Sequence, residues 1–311
     1  MAIDFANPRL SKKLRKAAQP LLKFRQVTRP VDGYGKNQGD TIDMDKLSNV
    51  QTKGGQIGEN QKLPETKFLV RKVQLTVAEY GNSIPYTGKL EALSEFNVAN
   101  PVQTALRNDM AKVMDSAVST VAKTTLVKYT PTGVKAGTFN SNSSTGASIG
   151  ANLTVFHIKE IVDRAVQDLV PPYSGGPDGD YLMIAHQTAL RSIFDDPEFQ
   201  EWNKYTDSSH LMTGEVGRVY RTRIIMANYT GLSVLQSKLG ECIFFGDDSI
   251  AEGIAIPEEV RAAIPDDFGR SKKIGWYALL GFKSLWDPNT DLNADLPSGG
   301  EWRICHITGT A

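Results

Sequence analysis

Most hydrolases and metalloproteins are built from residues that this chain has little of: among its 311 residues are 2 cysteines and 4 histidines. Cys242 and Cys305 lie in the apolar runs ECIFFG and WRICHI without CxxC spacing. That excludes a disulfide framework or a zinc ribbon and leaves buried free thiols. His157, His186, His210 and His306 are scattered, with no HExxH or HxH spacing, so no zinc-hydrolase motif is present. GxSxG and P-loop motifs are absent too. No apolar run approaches the ~18 residues of a membrane span. The first residues lack the apolar core of a signal peptide, so synthesis in a reducing cytosol is expected. Net charge is also missing, with 35 basic and 35 acidic residues, yet 40% hydrophobic residues are ample for a folded core. The length suits two ordinary domains or one elaborated domain.

The neutral total conceals a polarity. Residues 1–30 carry Arg9, Lys12, Lys13, Arg15, Lys16, Lys23, Arg25 and Arg29 against Asp4 alone, 8 minus 1 or +7. The remaining 27 basic and 34 acidic residues make the body −7. Such an arm can dock on acidic protein surface, lie on nucleic acid or stand solvated, and its sign alone does not choose.

Leu10, Leu14, Ala17, Ala18, Leu21 and Leu22 keep helical spacing, with Ser11 as N-cap and Pro20 as a break, which predicts a short helix within the arm. Gly35 to Thr66 holds five glycines and few large apolar residues. It is flanked by alternating segments, Thr41–Met44 and Phe68–Val77. This predicts a long polar β-hairpin with too little apolar area to hold itself rigid, one that lies on another subunit. Asn100-Pro101 opens a helix of about 25 residues to Leu126, with Leu106, Met110, Val113, Ala117 and Val121 on one side. Residues 129–152, rich in Ser, Thr, Asn and Gly, read as a surface excursion or a change of domain. Beyond it a helix capped by Thr154 runs to Pro171, followed by a strand at Asp180–Ala185, helices from Gln187 and around Phe199–Trp202, and strands at 223–227, 241–245 and 274–285. Without regular βαβ alternation the class is α+β.

The acidic pairs Asp195-Asp196, Asp247-Asp248, Glu258-Glu259 and Asp266-Asp267 are sequence neighbours that do not face one another, and read as caps and turns, not as acid and base. Asp178 and Asp180 resemble part of a calcium loop but lack its ligand series and terminal Glu. No cofactor, metal or catalytic residue is expected.

Two sets of segments resemble the major capsid proteins of tailed bacteriophages, especially the group typified by phage N-four. One is Leu14–Pro20, then Tyr86-Thr-Gly-Lys-Leu-Glu-Ala-Leu93 and the helix containing Asp115. The other is Asp180-Tyr-Leu-Met-Ile-Ala-His186, Asp196-Pro-Glu-Phe199, Leu211-Met-Thr-Gly-Glu-Val-Gly217 and Arg223-Ile-Ile-Met226. Order and spacing fit from about residue 10 to 285. Gln187 stands where proline is common and Arg221 where glycine is expected, departures that bear on local turns.

The resemblance implies a Hong Kong 97-like fold. Its parts would be an N-terminal arm (1–38), an extended hairpin or E-loop (39–75), a peripheral domain (76–135 and 252–311) with a spine helix at about 101–126, and an axial domain (136–251). It also implies self-assembly into pentamers and hexamers of an icosahedral head around double-stranded DNA, assembled in the host bacterial cytoplasm. The partners would be a portal protein and scaffolding or decoration proteins, with no membrane. Arm residues Arg9, Lys12, Lys13, Arg15, Lys16, Lys23 and Arg25 are candidate inter-subunit or DNA contacts, and Lys46, Lys53, Glu59 and Lys62 candidate E-loop contacts. Two alternatives share the sequence: an encapsulin-like compartment shell, and a soluble enzyme with its site on the 171–186 turn.

Overall fold

The computed structural model describes residues 23–32, 34–35, 37, 39–47, 52–67, 70–94, 97–174, 179–204, 215–227, 232–235, 239–264 and 267–310. Arg9, Lys12, Lys13, Arg15 and Lys16, the arm helix and Leu211–Gly214 lie outside them.

Two sheets share one helix. The seven-stranded sheet runs β6 (Ala136–Asn140), β5 (Lys128–Gly133), β15 (Ile304–Ile307), β12 (Cys242–Phe245), β7 (Tyr181–His186), β9 (Thr222–Ala227), β8 (Glu215–Val219). Its central strands are apolar at every position but His186 and His306 because both faces are buried, which is the signature of a covered sheet. Tyr181, Met183, Phe244 and Cys305 face a core under α3 (Val155–Gln167). Leu182, Ile184, Ile243, Phe245 and Ile304 face the opposite core, closed by Val118, Ala122, Phe24 and Val27.

The four-stranded sheet runs β1 (Thr28–Pro30), β13 (Ile250–Ala262), β14 (Ser271–Ser284), β4 (Ala78–Thr87). Across it lies α2 (Ala99–Lys123), 25 residues and roughly 38 Å long at 1.5 Å per residue. Leu106 and Met114 pack on Ile274, Trp276, Ala278 and Leu280 of β14, whereas Val118 and Ala122 reach the back of the other sheet. The helix is therefore a strut joining the two. Its start is set by Asn97, whose Oδ1 accepts the Ala99 N–H at 3.0 Å; Asn100 lies inside the first turn.

One expectation is corrected. Residues 128–140, expected in part to be surface excursion, form the β5–β6 ladder. Ile304–Ile307, near the end of the chain, ladder onto β12 and β5 in the seven-stranded sheet. Strands β4 and β13 were not anticipated. The sequence AEYGNSIPYT has no apolar alternation, and GIAIPEEVRA carries a proline with charges, so only their neighbours in the sheet specify them.

Beside this sheet, β2 (Thr41–Leu47) and β3 (Val70–Thr76) form the expected hairpin. Gly253 and Gly281, directly opposite each other in the β13–β14 ladder, make its seat. A Cβ on Gly253 would meet Ile42 at 2.6 Å and one on Gly281 the Thr76 carbonyl at 2.4 Å.

Candidate subunit-contact surfaces

The inner end of the arm is fixed to its own body. Phe24–Val27 makes a 3-10 turn whose Phe24 and Arg25 N–H groups donate to Asp115 Oδ1, at 2.7 and 3.2 Å. Thr28–Pro30 then pairs in parallel with Ile250–Glu252. The guanidinium of Arg25, a candidate for contacts outside the chain, instead bridges Glu252 (2.9 Å) and Glu258 within it. Arg29 likewise pairs with Asp247, and Lys23 begins the anchored segment.

The hairpin divides into a held base and an open loop. Ile42, Met44, Val73 and Leu75 turn inward onto Val77, Ala251, Leu285 and Trp286. Lys46 is the far inward residue of β2, and it is buried, its ammonium held by the Leu285 carbonyl and the Asp291 carboxylate. Its expected role as a contact to a neighbour is thereby corrected: one end of that long side chain is committed inside the subunit. Thr52 N–H donates to Asp295 at 2.7 Å, a second tie to the same acidic loop. From Thr52 to Lys67 every residue is exposed. Lys53 and Glu59 lie on this open loop, as does Lys62, 3.1 Å from Glu65. Leu47, Ile57, Leu63 and Val70 are exposed along the same hairpin.

The remaining polar clusters are internal braces. Glu241 accepts hydrogen bonds from Lys123 Nζ (2.6 Å), Ser233 N (2.7 Å) and Ser233 Oγ (2.8 Å), and stands 3.3 Å from His306 Nε2. Burial alone would raise its carboxyl, but His306, Lys123 and Ser233 outweigh burial and hold it far below the usual carboxylate range. Burial lowers His306, whose Nδ1 already faces Lys128 Nζ at 3.1 Å. His157 is buried too: Nδ1 accepts the Thr154 N–H (3.0 Å), completing a capping box, and Nε2 reaches the Gly133 carbonyl (2.8 Å). Asp168 receives Trp302 Nε1 (2.8 Å), Arg164 Nε (3.1 Å) and Ser298 N (3.0 Å).

The turn considered for catalysis carries the same kind of bracing. Asp180 is taken up by Arg218 and by Arg223 at 3.0 Å, and Arg221, where glycine was expected, sits at φ 61 with its side chain bonded to the Gly179 carbonyl. The left-handed conformation explains the expectation of glycine. Both cysteines are buried, which raises their thiols. Among the described residues no group of three or more His, Cys, Asp or Glu is placed to hold a metal ion, and no helix is long and apolar enough to cross a membrane.

No family model and no curated sequence matches the chain. Solved structures do. The capsid of Helicobacter pylori bacteriophage KHP30 superposes with a TM-score of 0.71 at 11% identity, covering 97% of this chain and 94% of that one. The capsid of Ralstonia phage GP4 gives 0.65 at 12% over 100% and 98%. The capsid asymmetric unit of cyanophage Pam1 gives 0.63 at 12% over 99% and 100%. The described residues therefore share the Hong Kong 97-like fold of these bacteriophage capsid structures.

Proposed function

We propose that the chain is the major capsid protein of a tailed bacteriophage, a structural subunit that assembles into pentamers and hexamers of an icosahedral head around double-stranded DNA. The observation that carries this reading is the end-to-end match to phage capsid subunits, and the hairpin is the supporting feature. Its base is seated on the subunit while its loop, exposed from Thr52 to Lys67, presents Ile57 and Leu63 to a neighbour. A cellular compartment shell is not favoured, because the matched structures are bacteriophage capsids and heads.

In this reading 1–38 is the arm, 39–75 the E-loop, 76–135 with 252–311 the peripheral domain around α2, and 136–251 the axial domain, with β15 returning into the axial sheet. Portal, scaffolding or decoration proteins are further partners, and assembly takes place in the host cytoplasm. Lys53, Glu59 and Lys62 supply polar contacts from the loop. Arg9, Lys12, Lys13, Arg15 and Lys16 supply a weak, sequence-independent attraction to acidic neighbours or to DNA phosphates. Exposed pairs of this kind contribute roughly 0–1 kcal/mol each, so multiplicity does the holding.

Replacing residues 52–66 by a short turn tests the reading. The expected product is a folded, soluble subunit that does not close shells, and intact particles would refute the role given to the loop. Neutralising Lys12, Lys13, Arg15 and Lys16 together should impair DNA packaging if the arm lines the interior; unchanged packaging excludes that role.

A further inference from the structure

The exposed loop between β2 and β3 has one fixed corner. Gln61 N–H donates to the Gly58 carbonyl at 3.0 Å, and Gln61 Oε1 accepts the Gly58 N–H at 3.4 Å. These bonds close a four-residue turn with Glu59 at its first corner. Ile57, 41% exposed, stands just before the turn and Leu63, 71% exposed, just after it. Lys62 is taken by Glu65, whereas Glu59 has no partner among the described residues. The corner therefore carries one free carboxylate between two uncovered apolar side chains.

A groove of about 640 Å³ lies between the base of the same hairpin, the C-terminal end of α2 and the end of β14. Its apolar lining includes Val121, Phe282, Leu285 and Trp286. Its charged lining is four cations, Lys46, Arg71, Lys72 and Lys283, against Asp287 and Asp291. Lys46 and Arg71 stand directly opposite in the β2–β3 register, an arrangement of like charges that is unfavourable unless each finds an anion. Asp291 serves Lys46, Asp45 lies 4.0 Å from Lys72, and Asp287 caps its own turn through the Asn289 N–H. Arg71 and Lys283 have no acidic partner among the described residues. No residue of the 52–67 loop lines the groove in its own subunit.

We propose that the Gly58–Gln61 corner of one copy docks in this groove of a second copy. The Glu59 carboxylate then lies between Arg71 and Lys283, and Ile57 and Leu63 lie against Phe282 and Trp286. Each side supplies what the other lacks: the corner has a carboxylate without a cation, and the groove two cations without an anion. This deepens the shell reading and rests on it, by naming the surface of the neighbour on which the loop lands.

Cross-linking between two differently altered subunits tests the contact. Glu59→Cys and Lys283→Cys chains, mixed before assembly and mildly oxidised, should give a disulfide-linked dimer at least ten times as abundant as Glu59→Cys mixed with Val134→Cys, an exposed position outside the groove. The native Cys242 and Cys305 are buried and do not compete. Charge reversal is the second arm. Glu59→Lys alone, and Arg71→Gln with Lys283→Glu, should each lower the sedimenting assembled fraction at least tenfold, and the three changes combined should restore it. Melting of the unassembled subunits controls for folding. A cross-link in assembled particles no stronger than the control overturns the proposal, as does assembly unaffected by either reversal. A loss caused by the groove changes that Glu59→Lys does not repair gives the groove to another segment and overturns it too. A wild-type chain that never assembles would instead overturn the shell reading itself, so the two failures are distinguishable.

Discussion

Single side chains close the joints of this molecule, and two of them give sharp expectations. Asp115 is buried in α2 and caps the 3-10 turn of the arm. Asp115→Ala leaves the Phe24 and Arg25 N–H groups without their acceptor, a loss of about 1–3 kcal/mol. The unassembled subunit should then melt several degrees lower in a calorimetric scan, by the usual size scaling. His157 gives a pH dependence whose sign is fixed by geometry. Both ring nitrogens are committed in the neutral form, and burial lowers its affinity for a proton. The unfolded chain takes up that proton below about 6.5, so stability is whole above that pH and falls beneath it, by up to ~1.4 kcal/mol per unit while the folded ring stays neutral. His306, lowered for the same reason, adds to the fall. Glu241 has the opposite charge type and the same outcome: its depressed folded value means stability present above the ordinary carboxylate range and lost as pH drops through that range. Denaturant unfolding of the subunit between pH 7 and 5 should show this slope, and His157→Gln should flatten it; an unchanged slope would remove His157 from the account.

Among the elements, the β2–β3 hairpin depends most on a residue outside itself. Gly281→Val places side-chain atoms against the Thr76 carbonyl, and backbone cannot step aside as a flexible side chain can. Hydrogen exchange should then show loss of protection across Ile42–Leu47 and Val70–Thr76 while α3 keeps its own; equal protection in both would show that the glycine seat is unnecessary. The hairpin and the helices were legible in the sequence because periodicity announced them: alternation at Thr41–Met44 and Phe68–Val77, and three- and four-residue spacing from Leu106 to Val121. The apolar runs at Tyr181 and Cys242 were legible as strands, though not that they lie side by side. Strands β4 and β5–β6 were not legible, since Gly81, Pro85 and a stretch of Ser, Thr and Gly carry no pattern until a neighbouring strand supplies the hydrogen bonds. The candidate contacts fared unevenly for a physical reason. Charge in a sequence marks residues that need a partner but not whether the partner is internal, and Arg25 and Lys46 found theirs inside the subunit.

The molecule as a whole joins two sheets through one strut, and among the described residues the 52–67 loop stands exposed from end to end, tied to the body at Thr52. In the proposed lattice the loop would meet a surface on the next copy. Contacts made partly of exposed ion pairs weaken as salt shortens the screening length to a few ångströms, so assembled material should dissociate or form more slowly near 1 M salt than at 0.1 M. Light scattering across that range checks it, and salt-independent assembly would assign the holding to apolar contacts alone. The most direct measurement is electron microscopy combined with sedimentation of the expressed full-length chain. Closed hollow particles of megadalton mass, tiled by five- and six-membered rings, are the predicted result; a discrete 34.1 kDa species at every concentration and salt, with scaffolding partner supplied, would contradict it.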